Sequence, residues 1–279
     1  RPVRGWAPQA WRGLMWDAFP LMINEFLATA FFRLDQIMID PLRGERGDAE
    51  TGYYNVAYKF IDGLLILPSS FTLAIFPVMS RYAQGAPDAL LRATVLSLRW
   101  LVMLSLPIAL LTMRYAEPII LAFGGSAYLP FSAVALQILI WFLPFSFVNG
   151  LLQYVLIAAG RQHALTRAFL AAMLFNLVAN FFAIRSYGIY GAAAVTILSE
   201  WALMLPFYRL LRESVGDIPW LGLFGRPTLA MGAAAVPLWI GGLPFWLAIP
   251  SSVLLYAAVL LLLRAFTPED RAVVARLRG

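Results

Sequence analysis

Apolar runs of about 20 residues recur from one end of this 279-residue chain to the other, and no other feature restricts its fold as strongly. A helix of that length crosses the ~30 Å hydrocarbon core of a bilayer. Eight such runs are read, at roughly 16–39, 53–79, 93–113, 130–159, 165–184, 189–212, 222–241 and 245–266. Turn chemistry separates them: Pro41, Gly44 and Gly47; Gly85 and Pro87; Gly124 and Gly125; Gly160; Gly188 and Gly191; Gly241, Gly242 and Pro244. Only 13% of the chain is charged, about half of the ~25% that a soluble domain carries. The expectation is an all-α integral membrane protein of about eight transmembrane helices.

The basic residues orient these spans. Fifteen arginines fall on the side that holds Arg1, Arg4, Arg12, Arg81, Arg161 and Arg276, against four on the other, Arg43, Arg46, Arg114 and Arg185. Cytoplasmic loops carry the excess of Lys and Arg. Both ends of the segment are therefore expected in the cytoplasm of a multi-pass protein, and the net charge of +6 is a loop asymmetry rather than a nucleic-acid footprint. Cysteine is absent, which excludes disulfides and Cys-based metal or redox sites, and the single histidine, His163, has no metal-ligand neighbours. No cofactor is expected. Pro144 is read as splitting the fourth span, and Pro68 and Pro77 as interrupting the second. The stretch Thr267–Gly279 starts like a capping box and predicts a short amphipathic helix on the cytoplasmic interface.

Charges inside the spans point to function. The first span holds Glu25, Arg33 and Asp35, and the second holds Lys59 and Asp62. Charge at membrane depth is expensive and usually faces a pathway. Arg33 and Lys59 each lie six residues from the outer end of their span, roughly 9 Å deep at the rise of a helix. Glu25 and Asp62 fall deeper. The reading is a cationic layer above an acidic one, with Arg33 and Lys59 attracting a phosphate or acidic sugar, and Glu25 and Asp62 balancing them or binding a coupling cation. Against it stands a plainer arrangement, in which Lys59 pairs with Asp62 three residues on and Arg33 reaches to the interface. Asp35, some 200° around the helix from Arg33, is expected at the interface or bonded to a neighbouring helix. Asn176 with Asn180, and Asn149 with Gln153, share helix faces four residues apart and read as amides holding helices together. Glu200, at mid-span, is expected to be protonated, paired with an amide, or part of a proton path.

Several stretches resemble a known family. TGYYNVAYKFIDGLLILPSSFTLAIFPVMSRYA and AFGGSAYLPFSAVALQIL are similar to segments of the polysaccharide flippases of the multidrug/oligosaccharidyl-lipid/polysaccharide exporter superfamily. So, most closely, is the order Leu156–Ala158, Gly160–Arg161, Asn176 and Asn180, Tyr187–Ala193, Ser199–Glu200. The resemblance covers residues 17–210. It implies a fourteen-helix transporter of two six-helix lobes plus two helices, of which residues 1–212 form the carboxy-terminal lobe and 213–279 the two additional helices and tail. The amino-terminal lobe would then come from the same or another chain. The function implied is flipping of a polyprenyl-linked oligosaccharide or polysaccharide precursor by alternating access, in a bacterial plasma membrane, driven by an unidentified ion, proton or sodium. The alternatives are a cation-coupled multidrug antiporter of the same superfamily, a non-transporting scaffold of this fold, and a membrane enzyme acting on lipid-linked sugars. The loop acids Asp40, Glu45, Asp48 and Glu50 alternate with Arg43, Arg46 and glycines. They read as a solvated turn rather than as an enzyme's metal-binding carboxylates, so no catalytic or metal site is expected.

Overall fold

The computed structural model describes residues 8–240 and 243–266, and every regular element in it is helical. The predicted helix at Thr267–Gly279 and the side chains of Arg1, Arg4, Arg12 and Asp17 lie outside the described residues. Helix α1 runs Pro8–Arg43, turns through a short 3-10 segment at Gly44–Arg46, and continues as α2, Gly47–Ala83. Then come α3 (Pro87–Arg114), α4 (Ala116–Phe123), α5 (Phe131–Leu139), α6 (Leu143–Ala158), α7 (Gln162–Tyr187), α8 (Ile189–Ser214), α9 (Trp220–Trp239) and α10 (Phe245–Leu262).

Seven described stretches are long and apolar enough to cross a membrane. The first, Met22–Ala83, has 62 residues and would be roughly 90 Å long if straight. It instead folds into an antiparallel hairpin, as the pairs Arg43–Glu50, Asp35–Tyr54 and Arg33–Asp62 require. Counting the hairpin as two passes gives eight, as read from the sequence.

The helices overrun the predicted spans. With 36 and 37 residues, α1 and α2 are each roughly 54 Å long against a ~30 Å apolar core. Hydropathy reports the thickness of the bilayer, and the charged ends go on as helix beyond it. Arg33 consequently sits ten residues from the end of α1, roughly 15 Å, and not six. Helix α2 runs unbroken through Pro68 and Pro77. The fourth span does break, but at the 3-10 segment Ile140–Phe142, ahead of Pro144. Pro144 stands in the first turn of α6, where an N–H has no helical partner to lose.

The main apolar core joins α1 through α8, with Tyr58, Phe142, Phe147, Phe169 and Phe207 among its largest buried side chains. α1 runs parallel to α7: Asn24 Nδ2 donates to the Gln162 carbonyl at 2.9 Å, and Arg43 Nη1 to the Arg185 carbonyl at 3.3 Å. The α7–α8 turn is tight because Gly191 leaves room where a Cβ would collide with the Ala183 carbonyl. α9 and α10 form a second apolar cluster with one face of α3, through Met103, Leu110, Ala234, Leu238, Tyr256 and Leu260. Tyr256 Oη donates to the Met103 carbonyl at 2.9 Å, and Arg114 Nε to the Leu238 carbonyl at 2.9 Å.

Candidate functional site

One face of the α1–α2 hairpin turns away from the core, and it carries the intramembrane charges. Glu25, Arg33 and Lys59 are exposed on it and Asp62 is half-exposed. Arg33 Nη2 lies 3.0 Å from Asp62 Oδ2, with side chains 44% and 37% exposed. The same guanidinium donates to Gln36 Oε1 at 3.3 Å and stands 5.5 Å over the ring of Tyr58. Tyr58 is held in turn by a bond from its hydroxyl to the Phe32 carbonyl, 3.1 Å.

This geometry corrects two sequence readings. Asp62 does not lie in a layer beneath Arg33; the two are level and in contact. Asp62 pairs with Arg33 across the hairpin rather than with Lys59 three residues away, and Lys59 makes no hydrogen bond or ion pair among the described residues. Four ionisable groups on one exposed face at membrane depth are incompatible with contact to acyl chains, where no water or partner offsets their desolvation.

Glu25 stands eight residues before Arg33, roughly 12 Å along α1, at the edge of a cleft of about 210 Å³. The cleft opens among α1, α2, α6, α7 and α8, and its polar lining includes Glu25, Thr29, Ser69, Thr72, Asn149 and Gln153. Phe32, Tyr154, Phe169 and Phe207 supply its apolar walls. Pro68 also lines it, and since proline has no N–H, α2 leaves the Leu64 carbonyl without its helical donor there. The Thr29 and Ser69 hydroxyls donate to the Glu25 and Leu65 carbonyls of their own helices, at 2.9 and 2.8 Å.

Behind the hairpin the polar groups are buried and bonded across helices. Asp35 Oδ2 accepts from Tyr54 Oη at 2.5 Å and from Thr196 Oγ1 at 3.0 Å, and Oδ1 accepts from the Gln36 N–H at 2.8 Å. It therefore ties α1 to α2 and α8. Asn149 Nδ2 donates to Glu200 Oε2 at 2.6 Å and to the Glu200 carbonyl at 2.9 Å, joining α6 to α8. Glu200 Oε1 has no hydrogen-bonded partner among the described residues. Asn180 Nδ2 donates to Asn176 Oδ1, and Asn176 Nδ2 to Ser199 Oγ, both at 2.9 Å. Of the four amides singled out in the sequence, Asn149, Asn176 and Asn180 thus join buried contacts, while Gln153 faces the cleft.

Sequence reasoning did not find Tyr54, Thr196, Asn24 or Thr166. Thr166 Oγ1 donates to Asn24 Oδ1 at 2.7 Å. Hydroxyls and amides are common in membrane helices, so no local signal separates these four; only the partner helix does. Among the described residues no group of three His, Asp or Glu side chains is placed to hold a metal ion.

Comparison with known proteins adds two findings. A family model described as MatE matches residues 20–182, more than half of the chain. Among solved structures, that of the lipid II flippase MurJ in an inward closed conformation superposes with a TM-score of 0.68 at 15% sequence identity, over 92% of this chain and 55% of that one. At that identity the likeness is one of fold, and this chain spans about half the length of that flippase. No curated protein sequence matches it.

Proposed function

This chain belongs to the MatE family, and we propose that it forms one lobe of a transporter that flips a lipid-linked oligosaccharide or polysaccharide precursor across a bacterial plasma membrane by alternating access. The observation that carries the reading is the exposed α1–α2 face, with Glu25, Arg33, Lys59 and Asp62 at membrane depth beside the 210 Å³ cleft. Such a face needs a polar lumen or an opposing lobe, and a head group bearing phosphate or acidic sugars suits Arg33 and Lys59. The polyprenyl tail would stay in lipid. A lobe facing this one, from the same or another chain, would complete the path, with binding differing between inward and outward states. The arginine asymmetry supports a cytoplasmic side for both ends of the segment. The MurJ structure, a lipid II flippase of the same fold, supports the reading.

The buried carboxylates of Asp35 and Glu200 have no cationic side chain among their bonded partners. Glu200, with Oε1 unbonded, is the candidate for coupling to a proton or sodium gradient. The same feature favours a second reading, a cation-coupled drug antiporter, although such a protein needs no exposed arginine at membrane depth.

The test is complementation. The complete gene is expressed in a bacterium lacking its own polysaccharide flippase, and surface polymer is measured. Restored polymer is expected, and it should fall in the Arg33→Ala/Lys59→Ala variant while that variant still inserts in the membrane. Full activity of the double variant would remove both cations from the path. Resistance to cationic dyes without polymer would replace the flippase reading by the antiporter.

A further inference from the structure

A second cavity, of about 430 Å³, lies at the other end of the hairpin, between the α1–α2 turn and the α7–α8 turn. Its size falls within the range of small-molecule sites, about 300–1,000 Å³. The long α1 and α2 carry this turn beyond the apolar core of the bilayer, so the cavity is open to the aqueous phase. Arg46, Glu45, Tyr53, Tyr187 and Tyr190 line it, over a floor made by Arg43 and Glu50.

That floor is rigid. Glu50 receives three bonds from the Arg43 guanidinium, at 2.8 to 3.0 Å, and Arg43 also donates to the Arg185 carbonyl of α7. Gly188 makes the arrangement possible: its φ is +59°, and a Cβ there would stand 2.6 Å from Glu50 Oε2. The aromatic wall is equally fixed, with Tyr53 stacked on Phe131 at 5.0 Å and edge-on to Tyr128 at 6.0 Å. Two charged side chains in the cavity, Glu45 and Arg46, have no ion pair or hydrogen bond among the described residues, and Tyr187 is 72% exposed.

The chemistry selects the ligand. The charges balance, since Arg43 is neutralised by Glu50 and Arg46 has Glu45 beside it, so the cavity does not favour a polyanion. Flat aromatic faces match the C–H faces of a pyranose ring. Free Arg and Glu side chains and tyrosine hydroxyls match its hydroxyls with donors and acceptors of both kinds. We infer that this cavity is a saccharide-binding subsite at the outer mouth of the lobe, which takes a neutral sugar of the translocated head group as it leaves the path. The assignment of the sugar as cargo rests on the flippase reading; the existence of the subsite does not.

The experiment measures binding and transport separately. The purified full-length protein in nanodiscs is titrated with soluble cellotetraose and chitotetraose, and with hexametaphosphate as the polyanion control. Sugar contacts are detected by saturation-transfer NMR on the pyranose protons, and polyphosphate contacts by broadening of its phosphorus-31 resonance. Saturable contact with at least one of the sugars and none with the polyphosphate is expected. Tyr187→Ala should raise its Kd about tenfold and Arg46→Ala several-fold, and Tyr187→Phe should retain binding. Both residues are on the surface, so these variants keep the fold, which melting temperature verifies. Absence of saturable contact with either sugar overturns the inference, and so does equal binding in the Tyr187→Ala and Arg46→Ala variants. Sugar binding in a protein that fails to restore surface polymer keeps the subsite and rejects the flippase reading. Restored polymer without sugar binding does the reverse.

Discussion

Replacing Asn149 by Leu should destabilise the lobe more than replacing Asn149 and Glu200 together. Asn149 and Glu200 are 3% and 0% exposed, and a 2.6 Å bond between their side chains ties the carboxylate to α6. Losing a polar bond between membrane helices costs little, ~0.6 kcal/mol on average and at most ~1.7. The larger cost is the stranded carboxylate, about 1–3 kcal/mol for a buried polar group left without its partner. The sum is roughly 2–4 kcal/mol. A chain of this size loses about 2–4 °C of Tm per kcal/mol, so the single variant should melt roughly 4–16 °C below wild type. In Asn149→Leu/Glu200→Leu both members of the pair become apolar and no carboxylate is stranded, a change that is nearly neutral where shape is kept. The assay is thermal unfolding of purified protein in detergent, followed by circular dichroism. A single variant as stable as wild type would refute the stranding argument, and so would a double variant that melts no higher than the single.

Three further outcomes follow from the same geometry. Arg33→Asp/Asp62→Arg should recover part of the transport that either single reversal abolishes, since the 3.0 Å contact is restored with opposite polarity; recovery is read as surface polymer, and none at all would mean the pair's orientation, not its existence, matters. Gly188→Ala should lower Tm by a few degrees, because the Cβ meets Glu50 Oε2 at 2.6 Å and a φ of +59° disfavours any side chain. Glu200→Gln keeps the acceptor for Asn149 and should leave Tm within about 2 °C of wild type, yet change the dependence of transport on the proton or sodium gradient; an unchanged dependence makes Glu200 structural.

The spans were legible because hydropathy is a property of composition over a window, and α1, α2 and α7 are apolar on every turn within the bilayer. Their ends were not, since Arg43 and Asp48 read as loop although the helices include both. The charge-bearing face was legible residue by residue, but the pairing on it was not. Sequence puts Lys59 three residues from Asp62, whereas Arg33 reaches it from 29 residues away. Which cation wins depends on how α1 and α2 are rotated about their axes, and that is set by core residues such as Phe31, Tyr54 and Ile61. Asp35, about 200° around the helix from Arg33, reads in the sequence as either interfacial or bonded to a neighbouring helix, and the structure shows the second. Its partner Thr196, 161 residues away, could only be found in three dimensions.

On the flippase reading proposed above, the two faces of α1 explain how the Arg33–Asp62 pair would serve a ligand. At 44% and 37% exposure, an ion pair contributes no more than about 1 kcal/mol in a watery lumen. The pair therefore does not hold itself in place; its scaffold does. Asp35 on the opposite face of α1 is bonded to Thr196 of α8 and Tyr54 of α2. The Tyr54 ring lies 5.6 Å from that of Tyr58, and Tyr58 supports the Arg33 guanidinium from below while bonding the Phe32 carbonyl. The guanidinium is thus positioned by buried bonds one turn away, while its own carboxylate partner is weakly held and open to water. On that reading an oxyanion from a head group would replace Asp62 at a cost near that of one exposed pair, and would meet an arginine already oriented. A buried pair at the same position would cost several kcal/mol to open, and would hold the hairpin shut instead of offering it to a substrate.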